Sequence, residues 1–291
     1  MAPEQVHGVH YALNDGLGER WVLMQPPHGR VEVLTLASVL ASHAAAEPAI
    51  RARAERMAHI AAPALAAVRR IERDAAGVRV VADATCGIRL SDFLAELEST
   101  GGSLSHAAML ELAGSVVRAL AALHRLPNGL AHGALTPAHI VLREDGSAVL
   151  TDSVFGAALE SLEWNREKLW REFHVALPAA ASLPRFDQRG DVTQLGAVVL
   201  AIALRRPLRD HEYPRCTTDL VIAATSDAAA PGASAFRMWL QQTLQLHPRS
   251  MFGSAVEADR AFAEITSAPG LRRAGAKDLS ARLEPARMLI A

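Results

Sequence analysis

Residues Gly129–Gly156 read GLAHGALTPAHIVLREDGSAVLTDSVFG. The second half is a strand pair: HIVL and AVLTD flank the turn Asp145-Gly146, a dipeptide suited to a tight hairpin. The whole stretch has the rhythm of a catalytic loop followed by a metal-binding loop. Yet the positions where such loops carry their working residues read Ala134 and His139. Either the chemistry is unusual, or the shell of an active site has been kept without it.

The chain has 291 residues, enough for one large domain or two lobes with a buried interior. Hydrophobic residues make up 50% and aromatics only 4%, so Ala, Leu and Val must fill most of the core. The formal net charge of -1 offers no electrostatic footprint for nucleic acid or anionic lipid. Cys86 and Cys216 set no disulfide framework and suit a reducing cytosol. The first residues, MAPEQVHGVHYALNDG, lack a basic region followed by an apolar run, and the run Leu195–Leu204 is too short to span a bilayer. The expectation is a soluble cytoplasmic protein.

Upstream, VHYAL, RWVLMQ and RVEVLTL have strand length and are separated by the turn signals NDGLGE and PPHG. A helical stretch follows, with Ile50, Met57 and Ile60 at helical spacing and Pro63 as its stop. ALAAVRRIER and GVRVVADA then read as two more strands. From Ser91 the pattern turns helical: LSDFLAELEST, then a long helix with Leu112, Val116, Leu120 and Leu123 on one face. DVTQLGAVVLAIALRR is apolar almost all round, the mark of a helix buried mid-domain. SAFRMWLQQTLQL and SAVEADRAFAEIT complete a helical lobe. The fold class is α+β, with a small antiparallel sheet and one helix over residues 1–86, a mainly helical lobe over 87–266, and a tail over 267–291.

This order resembles the two-lobed protein kinase fold, in its bacterial serine/threonine type. LHRLPNGLAHGALTPAHIVL resembles the catalytic loop H-R-D-L-x-x-x-N, with His132, Leu135, Pro137 and Ile140 matching. AVLTD resembles the strand entering D-F-G, with Asp152 as its Asp. RGDVTQLGAVVLAIALRRPL resembles the central buried helix, with Asp191 placed to anchor the loop backbone. GLGERWVL resembles the glycine-rich loop through Gly16 and Gly18, and LQLHPRSMFGSAVEADRAF the last helical turns. The resemblance runs in order over residues 9–266.

The departures bear on function. In the family, the H-R-D Asp accepts the substrate proton and the Asn holds a magnesium ion. The corresponding positions are Ala134 and His139. Loss of a general base alone removes about 10²–10⁴ in rate. The strand Lys that would pair the phosphates is replaced by Leu34, and its helix Glu by Arg53. Glu55 lies nearby, but two residues along a helix turn it by about 200°. The third glycine of the loop falls at or beside Trp21, whose indole would block phosphates or fill the pocket.

Two paired losses fit together. The family's buried Glu–Arg pair is replaced by Ala179 and Met251, an exchange of both partners for apolar groups that can be neutral. The Arg that would bind a phosphate on the activation segment is Gly133, and Leu162–Ala181 contains no Ser, Thr or Tyr. That segment instead carries Leu159, Leu162, Trp170 and Phe173 near helical spacing, predicting a helix that lies across the substrate cleft.

Each singled-out residue has a bland reading beside the functional one. Asp152 would bind a metal or nucleotide, or serve as a capping and hydrogen-bonding residue. His139 would be a metal ligand with His132 or Asp152, or satisfied core polarity. His132, Leu135 and Asp191 read as structural, His7 and His10 as solvated, and Cys86 and Cys216 as without chemistry. The leading expectation is a catalytically inactive kinase homologue, a pseudokinase, binding protein partners with weak or absent ATP and magnesium affinity. The alternative is an atypical ATP-dependent phosphotransferase using Asp152 with a relocated base. An Ala-rich helical protein of another fold is the third reading.

Overall fold

A computed structural model describes residues 8–25, 29–60, 62–75, 77–126, 129–179, 183–226, 232–246, 250–267 and 271–283. The chain opens with strands β1 (Gly8–Ala12), β2 (Gly18–Gln25) and β3 (Gly29–Leu36). A single helical turn α1 (Ser38–Ala41) and helix α2 (Ala46–Met57) precede β4 (Val68–Asp74) and β5 (Gly77–Asp83). These strands form one antiparallel sheet in the order β1-β2-β3-β5-β4. Arg20 stands opposite Leu34, and Leu34 opposite Val80, so all three share the face turned toward α2. Ile50 of α2 is fully buried in one cluster with Leu34, Leu36, Val78 and Val80.

A short connection leads to β6 (Ile88–Arg89) and helices α3 (Leu90–Thr100) and α4 (His106–His124). Ser105 caps α4 by accepting from the Ala108 amide at 3.1 Å, satisfying one of the donors a helix start leaves open. The 3₁₀ turn Pro137–His139 is followed by β7 (Ile140–Leu142) and β8 (Ala148–Leu150). β6, β7 and β8 form a second small antiparallel sheet, with Ile140 opposite Leu150. The β7–β8 hairpin turns at Asp145, whose carboxylate accepts from the Ser147 amide at 2.8 Å.

Two short helices follow, α5 (Gly156–Glu160) and α6 (Arg166–Phe173). Next come α7 (Gln188–Leu204), α8 (Thr217–Ala224), α9 (Ala233–Thr243), α10 (Ala255–Ile265) and α11 (Leu271–Leu283). Asp187 caps α7 by accepting from the Arg189 and Gly190 amides, each at 3.0 Å. Residues Gly190–Ala203 of α7 are all buried, as an all-round apolar helix requires. Helix α4 is long and apolar enough to cross a membrane, but 72% of it is buried inside the protein, where it serves as a core helix. The antiparallel sheet above a mainly helical lobe is the two-lobed α+β architecture expected from the sequence.

Three local expectations need correction. The segment read as a tail carries α11, which packs along α4: Leu279 is buried and Asp278 accepts from the Ser105 hydroxyl at 2.7 Å. Ala179 and Met251 do not fill the space of a buried pair, for both are exposed. The chain before Ala179 is held instead by buried Tyr213, whose hydroxyl donates to the Leu177 carbonyl at 2.5 Å. The helix expected over Leu162–Phe173 begins at Arg166, capped by Asn165, which accepts from the Lys168 amide at 2.9 Å.

Candidate functional site

The loop between α4 and β7 is held by the core of the lower lobe. Asp191, fully buried on α7, accepts from the amides of His132 (2.5 Å) and Gly133 (2.7 Å). It also accepts from His124 Nε2 at 2.9 Å, and His124 Nδ1 in turn accepts from the Ala255 amide. Gln194, one turn along α7, accepts from the Leu135 amide at 2.7 Å and donates to the Gly133 carbonyl at 3.2 Å. His132 Nε2 donates to the Thr151 carbonyl at 2.8 Å while Nδ1 accepts from the Ala134 amide. That ring is neutral: burial pushes it down to about 4, more than the Asp191 charge restores. Gly133 has a φ of +77°, and a side chain begun there would meet Gly156 Cα at 2.5 Å. No arginine fits that path.

Ala134 is fully buried and belongs to the same hydrophobic cluster as Leu17, Val154, Phe155 and Phe173. Leu17 sits in the glycine loop and Phe173 at the end of α6, so packing runs without a break from the upper lobe, through the cleft, to the segment below. The two loop glycines serve this closure. At Gly16 (φ +70°) an added Cβ would lie 2.0 Å from the Glu172 carbonyl oxygen of α6. At Gly18 (φ +144°) it would lie 1.9 Å from the Thr35 carbonyl oxygen. Their missing side chains admit backbone of this protein, a structural demand for glycine that stands apart from any phosphate binding.

Beside the apolar seal lies a buried ionic cluster. Arg20, with no exposed surface, donates to Asp15 (2.6 Å), Glu32 (2.5 Å) and Asp152 (3.1 Å). Arg89 donates to Glu32 (2.6 Å), the Tyr11 hydroxyl (2.7 Å) and the Ala138 carbonyl (2.6 Å). His139 presents Nδ1 to the Ala134 carbonyl at 2.5 Å and Nε2 to Asp15 Oδ2 at 3.1 Å. Each ring nitrogen thus faces an oxygen, and two arginines are set among three carboxylates, Asp15, Glu32 and Asp152.

Asp152 has a φ of +60°, uncommon for a residue with a side chain, and is pinned by Arg20 and by the Thr151 hydroxyl at 2.7 Å. Burial alone would raise its carboxyl. Arg20, then His139 and Arg89, more than offset burial and hold it well below the usual carboxylate range. Asp15 is likewise held low: the His139 bond and charge and the Arg20 charge outweigh its burial. Among the described residues no group of three or more His, Cys, Asp or Glu side chains is disposed to hold a metal ion.

The remaining positions fall as follows. Leu34 is buried on the inner face of β3. Arg53 of α2 does not pair with a carboxylate there; it donates to the backbone carbonyls of Ser153 (3.2 Å) and Ala131. Burial, then the like charge of Arg56, brings its guanidinium down to about 10. Trp21 neither blocks nor fills the pocket. It lies on the opposite face of β2, 39% exposed and against His10 with ring centroids 4.6 Å apart, because side chains alternate along a strand. The side chain that fills the pocket is its neighbour Arg20. His7 lies outside the described residues. Cys86 and Cys216 are free thiols.

Sequence reasoning passed over Arg20, Glu32, Arg89 and Asp15. One signal was present: in RVEVLTL, Glu32 shares a face with apolar Leu34, and a charge on an inward strand face needs a buried partner.

No protein-family profile matches the sequence, and no curated protein matches it. Solved structures do. The chain is similar to the Mycobacterium tuberculosis PknI kinase domain at 20% identity and a TM-score of 0.64, over 91% of this chain and 96% of that one. A second crystal structure of the same domain gives 20% identity and a TM-score of 0.59, over 89% and 94%. The fold is therefore protein kinase-like.

Proposed function

We propose that this chain is a pseudokinase, a kinase-like fold that transfers no phosphate and acts as a protein-binding or regulatory module. The observation that carries this reading is the filled cleft. Leu17, Ala134 and Phe173 pack as one cluster where a substrate hydroxyl would need to approach a base. Ala134 offers a methyl group, which cannot take a proton. Arg20 and Glu32 occupy the space under the strands, and Asp152 is committed to Arg20.

The residues present do not fit a nucleotide with magnesium. A magnesium ion wants carboxylate oxygens free of competing cations. Asp152 Oδ1 accepts from Arg20 and Oδ2 from Thr151. The inward Glu32 would face incoming phosphates with like charge. The alternative, a phosphotransferase with a relocated base, draws on Asp152 being ionised; the neighbouring carboxylates Asp15 and Glu32 are themselves bound, Asp15 to Arg20 and His139, Glu32 to Arg20 and Arg89.

The reading extends to a bacterial, cytoplasmic setting and a protein partner. Its test is direct. Purified protein with millimolar ATP and magnesium should show no nucleotide-dependent thermal shift and no phosphate transfer to itself or to a generic basic protein. Transfer at an ordinary kinase rate, abolished by Asp152→Ala, would overturn it.

A further inference from the structure

A cavity of about 510 Å³ opens beside Leu135–Ala138. That volume lies within the range of small-molecule sites, about 300–1,000 Å³. Both lobes contribute: Leu13 precedes the glycine loop, Trp170 comes from α6, Ala197 and Ala201 from α7, and Leu208 from the segment after it. The three charged side chains at its edge, Asp92, Arg209 and Asp210, are exposed to water. Arg209 reaches Glu98, and Asp210 accepts from His174. The buried walls are thus largely apolar, with Leu135 and Trp170 beside Ala197, Val198 and Ala201.

Buried Gln194 in the wall is satisfied by the Leu135 amide and the Gly133 carbonyl; one buried polar group in the lining is not. Thr136 lines the cavity, is only 2% exposed, and its hydroxyl has no hydrogen-bond partner. It occupies the cap position of the 3₁₀ turn Pro137–His139, where a threonine hydroxyl ordinarily turns back onto the following amides, yet it makes no cap bond. Its carbonyl, by contrast, accepts from the His139 amide at 3.0 Å. Buried hydroxyls in native proteins are hydrogen-bonded as a rule. Thr136 departs from that rule, and it lines a cavity large enough to admit a partner.

We propose that the cavity binds a small, uncharged, mainly apolar molecule of one or two rings bearing a single hydroxyl or carbonyl group, which Thr136 engages. The proposal does not depend on whether the neighbouring cleft transfers phosphate, because no charged side chain of the Arg20 cluster lines the cavity. A ligand here would touch both lobes and α6 at once, and would stabilise the arrangement in which they are closed.

The full chain should be titrated with 2-naphthol and with naphthalene, binding being followed by ligand-observed NMR and equilibrium dialysis. Saturable binding of 2-naphthol is expected, with naphthalene weaker by about five- to tenfold, the worth of one hydrogen bond. Thr136→Val should bring 2-naphthol to the naphthalene level. Ala201→Phe should abolish binding of both by filling the cavity. Since Ala201 is buried, Ala95→Trp at the exposed edge of α3 supplies a second obstruction that leaves the core intact. Absence of saturable 2-naphthol binding overturns the proposal. So does binding unchanged by Ala95→Trp. Equal affinity for Thr136→Val and the parent protein overturns it too, leaving only water at that hydroxyl.

Discussion

Arg20 donates to Asp152 at 3.1 Å, joining residues 132 positions apart across the cleft between the lobes. The bond ties β2 to the end of β8, and it uses the one carboxylate that the catalytic pattern retains. Arg20 also holds Asp15 and Glu32, so it is the hub and Asp152 one of three spokes. Arg20→Met should lower unfolding free energy by about 3–5 kcal/mol, because it strands buried carboxylates. Asp152→Ala should cost less, since Arg20 keeps two partners. Urea denaturation of the two variants measures the order. A larger loss from Asp152→Ala would mean that Arg20 is not the centre of the cluster.

The glycine loop separates structural from nucleotide-binding roles. Gly16→Ala and Gly18→Ala each force a side chain into left-handed backbone and against a carbonyl oxygen about 2 Å away. Each should destabilise the fold by more than about 1 kcal/mol. A loop shaped for phosphates would instead lose nucleotide affinity at unchanged stability. Thermal unfolding with and without ATP tells the two apart.

The strand segments, the buried central helix and the loop anchor at Asp191 were legible because they follow from periodicity and from a motif whose shape-holding residues are present. What filled the cleft was not. Strand alternation decides which of Arg20 and Trp21 points inward, and one residue of uncertainty in placing the loop exchanges them. The ionic cluster draws Asp15, Arg20, Glu32, Arg89 and His139 from separate segments, so no local spacing announces it. Helix α11 was read as a tail because its burial rests on few apolar residues, among them Leu279 and Leu283, and their value depends on the surface of α4.

Protonation of His132 gives the stability a defined pH dependence. In the fold the ring is pushed down to about 4 by burial, and in an unfolded chain it titrates near the ordinary 6.5. Between those values the unfolded chain binds a proton that the folded chain refuses. Stability therefore falls as the pH drops from about 6.5 toward 4, by about 3 kcal/mol from this residue alone. Asp15 and Asp152, held below their ordinary range, add a further loss only below about pH 4. Chemical denaturation at pH 7 and at pH 4.5, for the parent and for His132→Gln, isolates the histidine. The parent should lose the greater stability; equal losses would show that the ring accepts its proton inside the fold.

On the pseudokinase reading proposed above, introducing the four residues of the kinase motif should not produce phosphate transfer. Ala134→Asp, His139→Asn, Leu34→Lys and Arg53→Glu together recreate the side chains of the motif, but each enters a space already used. Asp at 134 enters a cluster packed by Leu17 and Phe173, where an ionised carboxylate has no partner. Asn at 139 removes the imidazole that bridges Asp15 and the Ala134 carbonyl. Lys at 34 replaces a side chain buried against Ile50 and Val80. Glu at 53 turns a carboxylate toward the carbonyls of Ser153 and Ala131, acceptors facing an acceptor. The quadruple variant should unfold at lower temperature and show no transfer from ATP above the parent background. Adding Leu17→Gly, Arg20→Ala and Glu32→Ala to open the cleft should still give no turnover, because the α6 contact at Gly16 persists. Kinase-level turnover by the quadruple variant alone would mean that motif residues, and not the filled cleft, are what silence this fold.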